Sequence, residues 1–145
     1  MSYDPRDTIV ALATAPAPAA RAVVRIAGPD VVRVLESCFL PTGGTALGSV
    51  RGAGVIEGRF QLATLQRELP CELLLWPDER SYTRSPLAEI HLLGSVPLAE
   101  AVIRTLCQSG CRLAGPGEFT LRAFLGGRLD LTQAEAVWGV VQATD

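Results

Sequence analysis

A chain of 145 residues with 48% hydrophobic and 19% charged residues has the size and composition of one folded globular domain, which excludes a disordered segment. All 13 basic residues are arginines, spaced singly along a chain of net charge −2, so no basic patch favours nucleic acid, and tRNA is not expected to bind this domain alone. No apolar run reaches the roughly 18–20 residues of a bilayer span, and Met1–Asp7 lacks a basic segment leading into an apolar one; the expected location is cytoplasmic, with no membrane.

In chain order, residues 8–13 (Thr-Ile-Val-Ala-Leu-Ala) read as a strand. The stretch Pro16-Ala17-Pro18-Ala19-Ala20 is kept extended or turned by its prolines. A second strand covers 22–27, and Gly28-Pro29-Asp30 opens a helix with Val31, Val34, Leu35 and Cys38 at helical spacing. Residues 41–54, rich in glycine and small side chains, read as a loop. Strands follow at 55–62 and 71–76, a turn-rich segment at 77–86, and a strand at 87–93. Ser95 can cap a helix carrying Leu98, Val102, Ile103, Leu106 and Cys107 that Gly110 ends. Gly115-Pro116-Gly117 is a turn before a short helix over 118–125, stopped by Gly126-Gly127. Thr132-Gln133-Ala134-Glu135 fits a capping box, with Ala134, Val137, Trp138 and Val141 as one apolar stripe. The expected fold is α+β: a mixed sheet of about five strands with three or four helices.

Much familiar chemistry is missing from the sequence. A phosphate-binding loop of the GxxxxGK[ST] type needs a lysine, and the chain has none. No GxGxxG, HExxH or GxSxG pattern occurs, and a histidine-based triad would have to use His91. The absence of these motifs leaves no catalytic residue expected; the four cysteines, Cys38, Cys71, Cys107 and Cys111, form no CxxC pair and His91 is the sole histidine, so no metal site is expected either. Cys107 and Cys111, four apart on the expected helix, could share a face; burial as small apolar side chains is the simpler account of both.

Three polar residues stand in apolar surroundings. Arg25 interrupts Val23-Val24-Arg25-Ile26 and shares a strand face with Val23 and Ala27. It suits either the solvent face of an antiparallel sheet or an anionic partner. Glu89 shares a face with His91, opposite Ala88, Ile90 and Leu92. Its carboxylate could accept hydrogen bonds from adjacent ring N–H groups, as on a pterin, or pair with a neighbouring strand, Arg25 included. Arg128 follows Gly126-Gly127 at a turn exit, where it suits an anionic group or solvent.

The run from Gly115 to Val137, GPGEFTLRAFLGGRLDLTQAEAV, closely resembles the PGEFTxRAFLNGKLDLxQAEAV signature of the MnmE/TrmE tRNA modification GTPases. Asp7-Thr8-Ile9-Val10-Ala11, Arg25-Ile26-Ala27-Gly28, Ser81-Tyr82-Thr83 and Ala88-Glu89-Ile90-His91 match in the same order, and the likeness thins between residues 41 and 70. The resemblance implies an N-terminal domain, residues 1–130, built like half of a folate-binding aminomethyltransferase-type unit, with 131–145 opening a helical domain that the chain leaves truncated. It further implies a homodimer that holds 5-formyl-tetrahydrofolate or a related tetrahydrofolate. Helical and GTPase domains would belong to the full-length protein, which modifies the wobble uridine of tRNA together with the family's partner protein. The family's folate contacts fall on an arginine in its LRISG-type strand, a glutamate in its VEIH-type strand and a basic residue in FLNGK. The matching positions are Arg25, Glu89 and Arg128.

Departures cluster in loops. Prolines and alanines replace the glycine-rich segment at 16–20, His91-Leu92-Leu93-Gly94-Ser95 stands for HCHGG, Tyr82-Thr83-Arg84-Ser85-Pro86 for YTGED, and Gly126 for asparagine. The rival expectation is therefore a dimerisation or scaffold module that kept the fold and lost the cofactor.

Overall fold

The computed structural model describes residues 4–14, 20–63 and 65–143. Among the described residues seven strands form one sheet in the order β3-β4-β5-β6-β2-β1-β7: β1 (Ile9–Leu12), β2 (Arg21–Ala27), β3 (Phe39–Pro41), β4 (Gly54–Leu62), β5 (Arg67–Trp76), β6 (Leu87–Leu93) and β7 (Arg112–Leu113). Four α-helices accompany them: α1 (Val31–Glu36), α2 (Val96–Gln108), α3 (Glu118–Leu125) and α4 (Leu131–Ala143). The sheet is mixed, because β1 pairs parallel with β7 while its other pairings are antiparallel. The α+β class stands; the strand count rises from the expected five to seven. The two additions, β3 and β7, are three and two residues long, too short to carry an alternating pattern, and exist only through pairing with β4 and β1. Most of the Pro/Ala stretch, positions 15–19, lies outside the described residues.

One face of the sheet holds the main core. Val24 and Ile26 of β2, Leu73 and Leu75 of β5, Ile90 of β6 and Phe60 of β4 are fully buried there with Val34 and Leu35 of α1 and Val102 and Leu106 of α2. The strict alternation in β2 and β6 puts Arg25, Glu89 and His91 on the opposite face, as the period of two requires. α2 begins as its sequence suggests: the Ser95 hydroxyl accepts the Leu98 N–H at 3.4 Å, and Gly110 at φ +119 leads the chain away. Cys111 thus lies beyond α2 and shares no helical face with Cys107; it is buried, which pushes its thiol up to about 12.

The start of α4 differs from the expected capping box. Asp130, not Thr132, caps it: the Asp130 carboxylate accepts the Gln133 N–H at 2.7 Å while Gln133 Oε1 accepts the Asp130 N–H at 3.0 Å. Both Asp130-Leu-Thr-Gln133 and Thr132-Gln-Ala-Glu135 fit the pattern, and the helix takes the earlier frame because Leu131 and Thr132 are already helical. From that start the Trp138 ring falls on Gly117, whose αL backbone (φ +71) and missing Cβ leave the ring its space. Among the described residues no helix is long and apolar enough to cross a membrane.

Candidate functional site

The second face of the sheet is built in rows. Strand register aligns Ile9, Ala27, Leu87 and Trp76 in one row, Ala11, Arg25, Glu89 and Leu74 in the next, and Val23, His91 and Glu72 in a third. α3 lies over the first row: its Phe119, with Tyr82 of the preceding turn segment, packs there with Ile9, Ala27, Leu87 and Trp76 as a small second apolar cluster. The polar second row is left at the edge of that cover.

At this edge lies a pocket of about 480 Å3, within the usual range of roughly 300–1,000 Å3 for small-molecule sites, lined by Arg25, Glu89, Arg128, Trp76, Tyr82, Leu87, Phe119, Thr120 and Val137. All three residues that stood out in the sequence meet in it. Arg25 and Glu89 come together through register, directly opposite on β2 and β6, and Arg25 donates from Nε and Nη2 to Glu89 Oε2 at 3.0 and 2.8 Å. Of the two expectations for Glu89, pairing with Arg25 is therefore realised. Arg128 arrives independently, at the exit of the Gly126–Gly127 turn after α3, and is exposed.

Aromatic rings form the rest of the wall. The Arg25 guanidinium stands over the Phe119 ring, 5.7 Å from its centroid, a cation–π arrangement that leaves its edge free to donate. Tyr82 Oη and Thr120 Oγ1 are 3.3 Å apart and join the 77–86 segment to α3.

His91 extends the polar row. Arg21 Nη1 lies 3.3 Å from His91 Nδ1, and since a guanidinium only donates, Nδ1 is the acceptor and the ring proton sits on Nε2. That Nε2 then donates to Glu89 Oε1 at 3.2 Å. Burial works to raise the Glu89 carboxyl, but the hydrogen bonds from Arg25 and His91 outweigh it and hold the group below the ordinary carboxylate range. Glu89 is thus an anion held in place from two sides at the floor of an aromatic-walled pocket. Among the described residues no three His, Cys, Asp or Glu side chains gather as metal ligands would.

Sequence patterning alone missed the aromatic wall and a second cluster beneath it. Glu118, only 5% exposed, receives Arg112 Nη1 and Nη2 on its two oxygens at 3.0 and 2.7 Å and the Gly115 N–H at 2.8 Å. Arg112 also donates to Asp7 at 2.8 Å, and Arg122, equally buried, donates to the Asp4 carbonyl at 3.1 Å and approaches Glu118 at 3.4 Å. This network fixes α3, and with it Phe119 and Arg128. Asp7, Glu118, Phe119 and Tyr82 all sit in segments that match the family signature, which was the available signal.

The molecule is an α+β domain with a ligand-sized pocket on the open face of its sheet. The profile of the GTP-binding protein TrmE N-terminus matches residues 8–128. The tRNA modification GTPase MnmE of Rhodopirellula baltica is 42% identical over all of the chain, which spans 31% of that protein. The MnmE proteins of Opitutus terrae and Halorhodospira halophila are each 43% identical, over 94% and 97% of the chain and 29% and 28% of their own lengths. The chain belongs to the MnmE/TrmE family and corresponds to its N-terminal domain.

Proposed function

We propose that the chain is the tetrahydrofolate-binding, homodimerising module of a cytoplasmic tRNA modification GTPase that acts on wobble uridine. GTP hydrolysis falls to a domain outside this chain, and the boundary to the helical domain lies near residue 131. The observation that carries the folate reading is the meeting of Arg25, Glu89 and Arg128 in one aromatic-walled pocket of about 480 Å3. The residues fit a reduced folate: a held carboxylate for the N–H donors of a pterin edge, flat apolar walls for its rings, and guanidinium groups for its polar and anionic parts. When bound, the folate supplies a one-carbon unit. The chain's own part is to bind and orient it: Glu89 fixes the pterin edge, Arg25 and His91 keep Glu89 ionised and aimed, and Arg128 serves the outer, anionic end.

Calorimetric titration with 5-formyl-tetrahydrofolate tests this. Saturable binding to the natural chain is expected, weakened at least tenfold in Glu89→Gln, about 1.4 kcal/mol. One observation favours the scaffold reading instead: both Glu89 oxygens already have partners, Arg25 and His91. Absence of heat from folded protein would establish that reading in place of the folate one. For the dimer, sedimentation equilibrium should give twice the 15.4 kDa chain mass; monomer alone at micromolar concentration would refute it.

A further inference from the structure

Beside the Arg25–Glu89 pocket lies a second cleft of about 310 Å3, lined by Trp76, Arg80, Ser81, Tyr82, Arg84 and Arg128. It shares Trp76, Tyr82 and Arg128 with the first, so one elongated ligand can occupy both. Three of its six lining residues are arginines and none is acidic; of the three, Arg80 has a carboxylate partner, Asp78 at 2.8 Å, on the exposed rim. Gathering like charges against aromatic walls builds a positive potential that an anion relieves.

The placement of Arg84 is built into the fold. Its backbone is left-handed (φ +57), a conformation rare for a long side chain. The surrounding turn holds it there: the buried Ser81 hydroxyl donates to the Ser85 carbonyl at 2.5 Å, Ser85 Oγ and the buried Thr83 Oγ1 are 2.9 Å apart, and the Arg84 N–H donates to the Ser81 carbonyl at 3.3 Å. The Arg84 stem lies across Gly126, where a Cβ would come within 2.7 Å of Arg84 Cβ and 2.8 Å of its Cγ. Arg84 and Gly126 both stand where this sequence departs from the family pattern, and they are in contact, so a side chain at 126 would displace the arginine.

We propose that Arg80, Arg84 and Arg128 bind the carboxylates of an oligo-γ-glutamyl tail on the pocket's ligand. The inference rests on the folate reading above. Guanidinium forks match carboxylates in geometry, the cleft continues the pocket on the side where Arg128 meets the anionic end, and a single local cluster of arginines on a chain of net charge −2 suits a short tail better than an extended RNA backbone.

The test compares 5-formyl-tetrahydrofolate carrying one and five glutamates in calorimetric titrations at low salt. The natural chain should bind the pentaglutamate at least about tenfold more tightly, the size of a charge-assisted pair, and the gain should shrink at high salt. Arg84→Asn, whose new side chain tolerates the left-handed backbone, should bring the ratio to within about threefold of one. Gly126→Asn, at an ordinary φ of −80, should do the same without touching a charge. Equal affinity for the two folates in the natural chain, or a gain that survives both substitutions, overturns the proposal while leaving the pocket reading intact. Failure to bind either folate removes both. Binding of a tRNA transcript with the same dependence on Arg84 would assign the cleft to phosphates and also overturn it.

Discussion

Replacing Glu118 with alanine is expected to cost about 3–5 kcal/mol of stability, the usual penalty for removing one partner from a buried ionic network. Glu118 sits between Arg112 and Arg122 and also accepts the Gly115 N–H, so its loss takes away the one carboxylate that faces both guanidinium groups and the turn. For a domain stabilised by roughly 5–15 kcal/mol, that is a large fraction. Urea denaturation at neutral pH reads the result; a loss below about 1 kcal/mol would mean that solvent screens the network as it does a surface pair. The acid limb adds a second readout. Burial acts to raise the Glu118 carboxyl, but hydrogen bonds from Arg112 and the Gly115 amide prevail and lower it. A group depressed on folding contributes its stability fully above its unfolded value, about 4.3, and loses it as pH falls through the folded value below that. The natural chain should therefore lose stability as pH falls below about 4, and Glu118→Gln should flatten that limb.

Much of this site could be read in the sequence, and the reason is chemical. Arg25 and Glu89 break apolar strands whose other face is unmistakably core, so alternation by itself fixes the side on which they lie. Their mutual pairing is a matter of register between strands 64 residues apart, which a one-dimensional pattern does not carry. Arg128 showed itself by position after the glycine pair and by the motif. The aromatic wall was illegible for another reason: Trp76, Tyr82 and Phe119 come from three separate segments, and only the way α3 lies over the first row of the sheet brings them together. Glu118 stands in the first turn of α3, where any carboxylate is favoured, and its burial depends on Arg112 arriving from β7, a strand of two residues that has no pattern of its own. The cap of α4 was ambiguous because two overlapping segments satisfy one rule, and tertiary packing of Trp138 on Gly117 fits the earlier of them.

Gly28→Ala is expected to cost at least about 3 kcal/mol, combining strain at a backbone conformation that L side chains avoid with overpacking. Gly28 follows β2 at φ +142, and a Cβ there would come within 2.5 Å of Thr8 Cα and 2.9 Å of the Asp7 carbonyl oxygen. Neither neighbour can yield easily. Thr8 is buried, its hydroxyl accepts the Asp30 N–H at 2.9 Å, and its carbonyl accepts the Arg112 N–H at 2.9 Å, so movement of Thr8 disturbs both α1 and β7. The Gly28 N–H donates to the Pro86 carbonyl at 2.9 Å, which ties this point to the turn carrying Tyr82 and Arg84. The substitution should thus act on the site as well as on the fold: a lower urea midpoint, and weaker 5-formyl-tetrahydrofolate binding at temperatures where the variant is still folded. Gly44→Ala provides the contrast, since Gly44 is also left-handed (φ +72) but a Cβ there meets nothing within 4 Å. It should cost only the conformational strain, about 1–2 kcal/mol, and leave ligand binding alone. Equal losses from the two substitutions would show that backbone strain alone, not the close approach of Gly28 to Thr8, sets the cost.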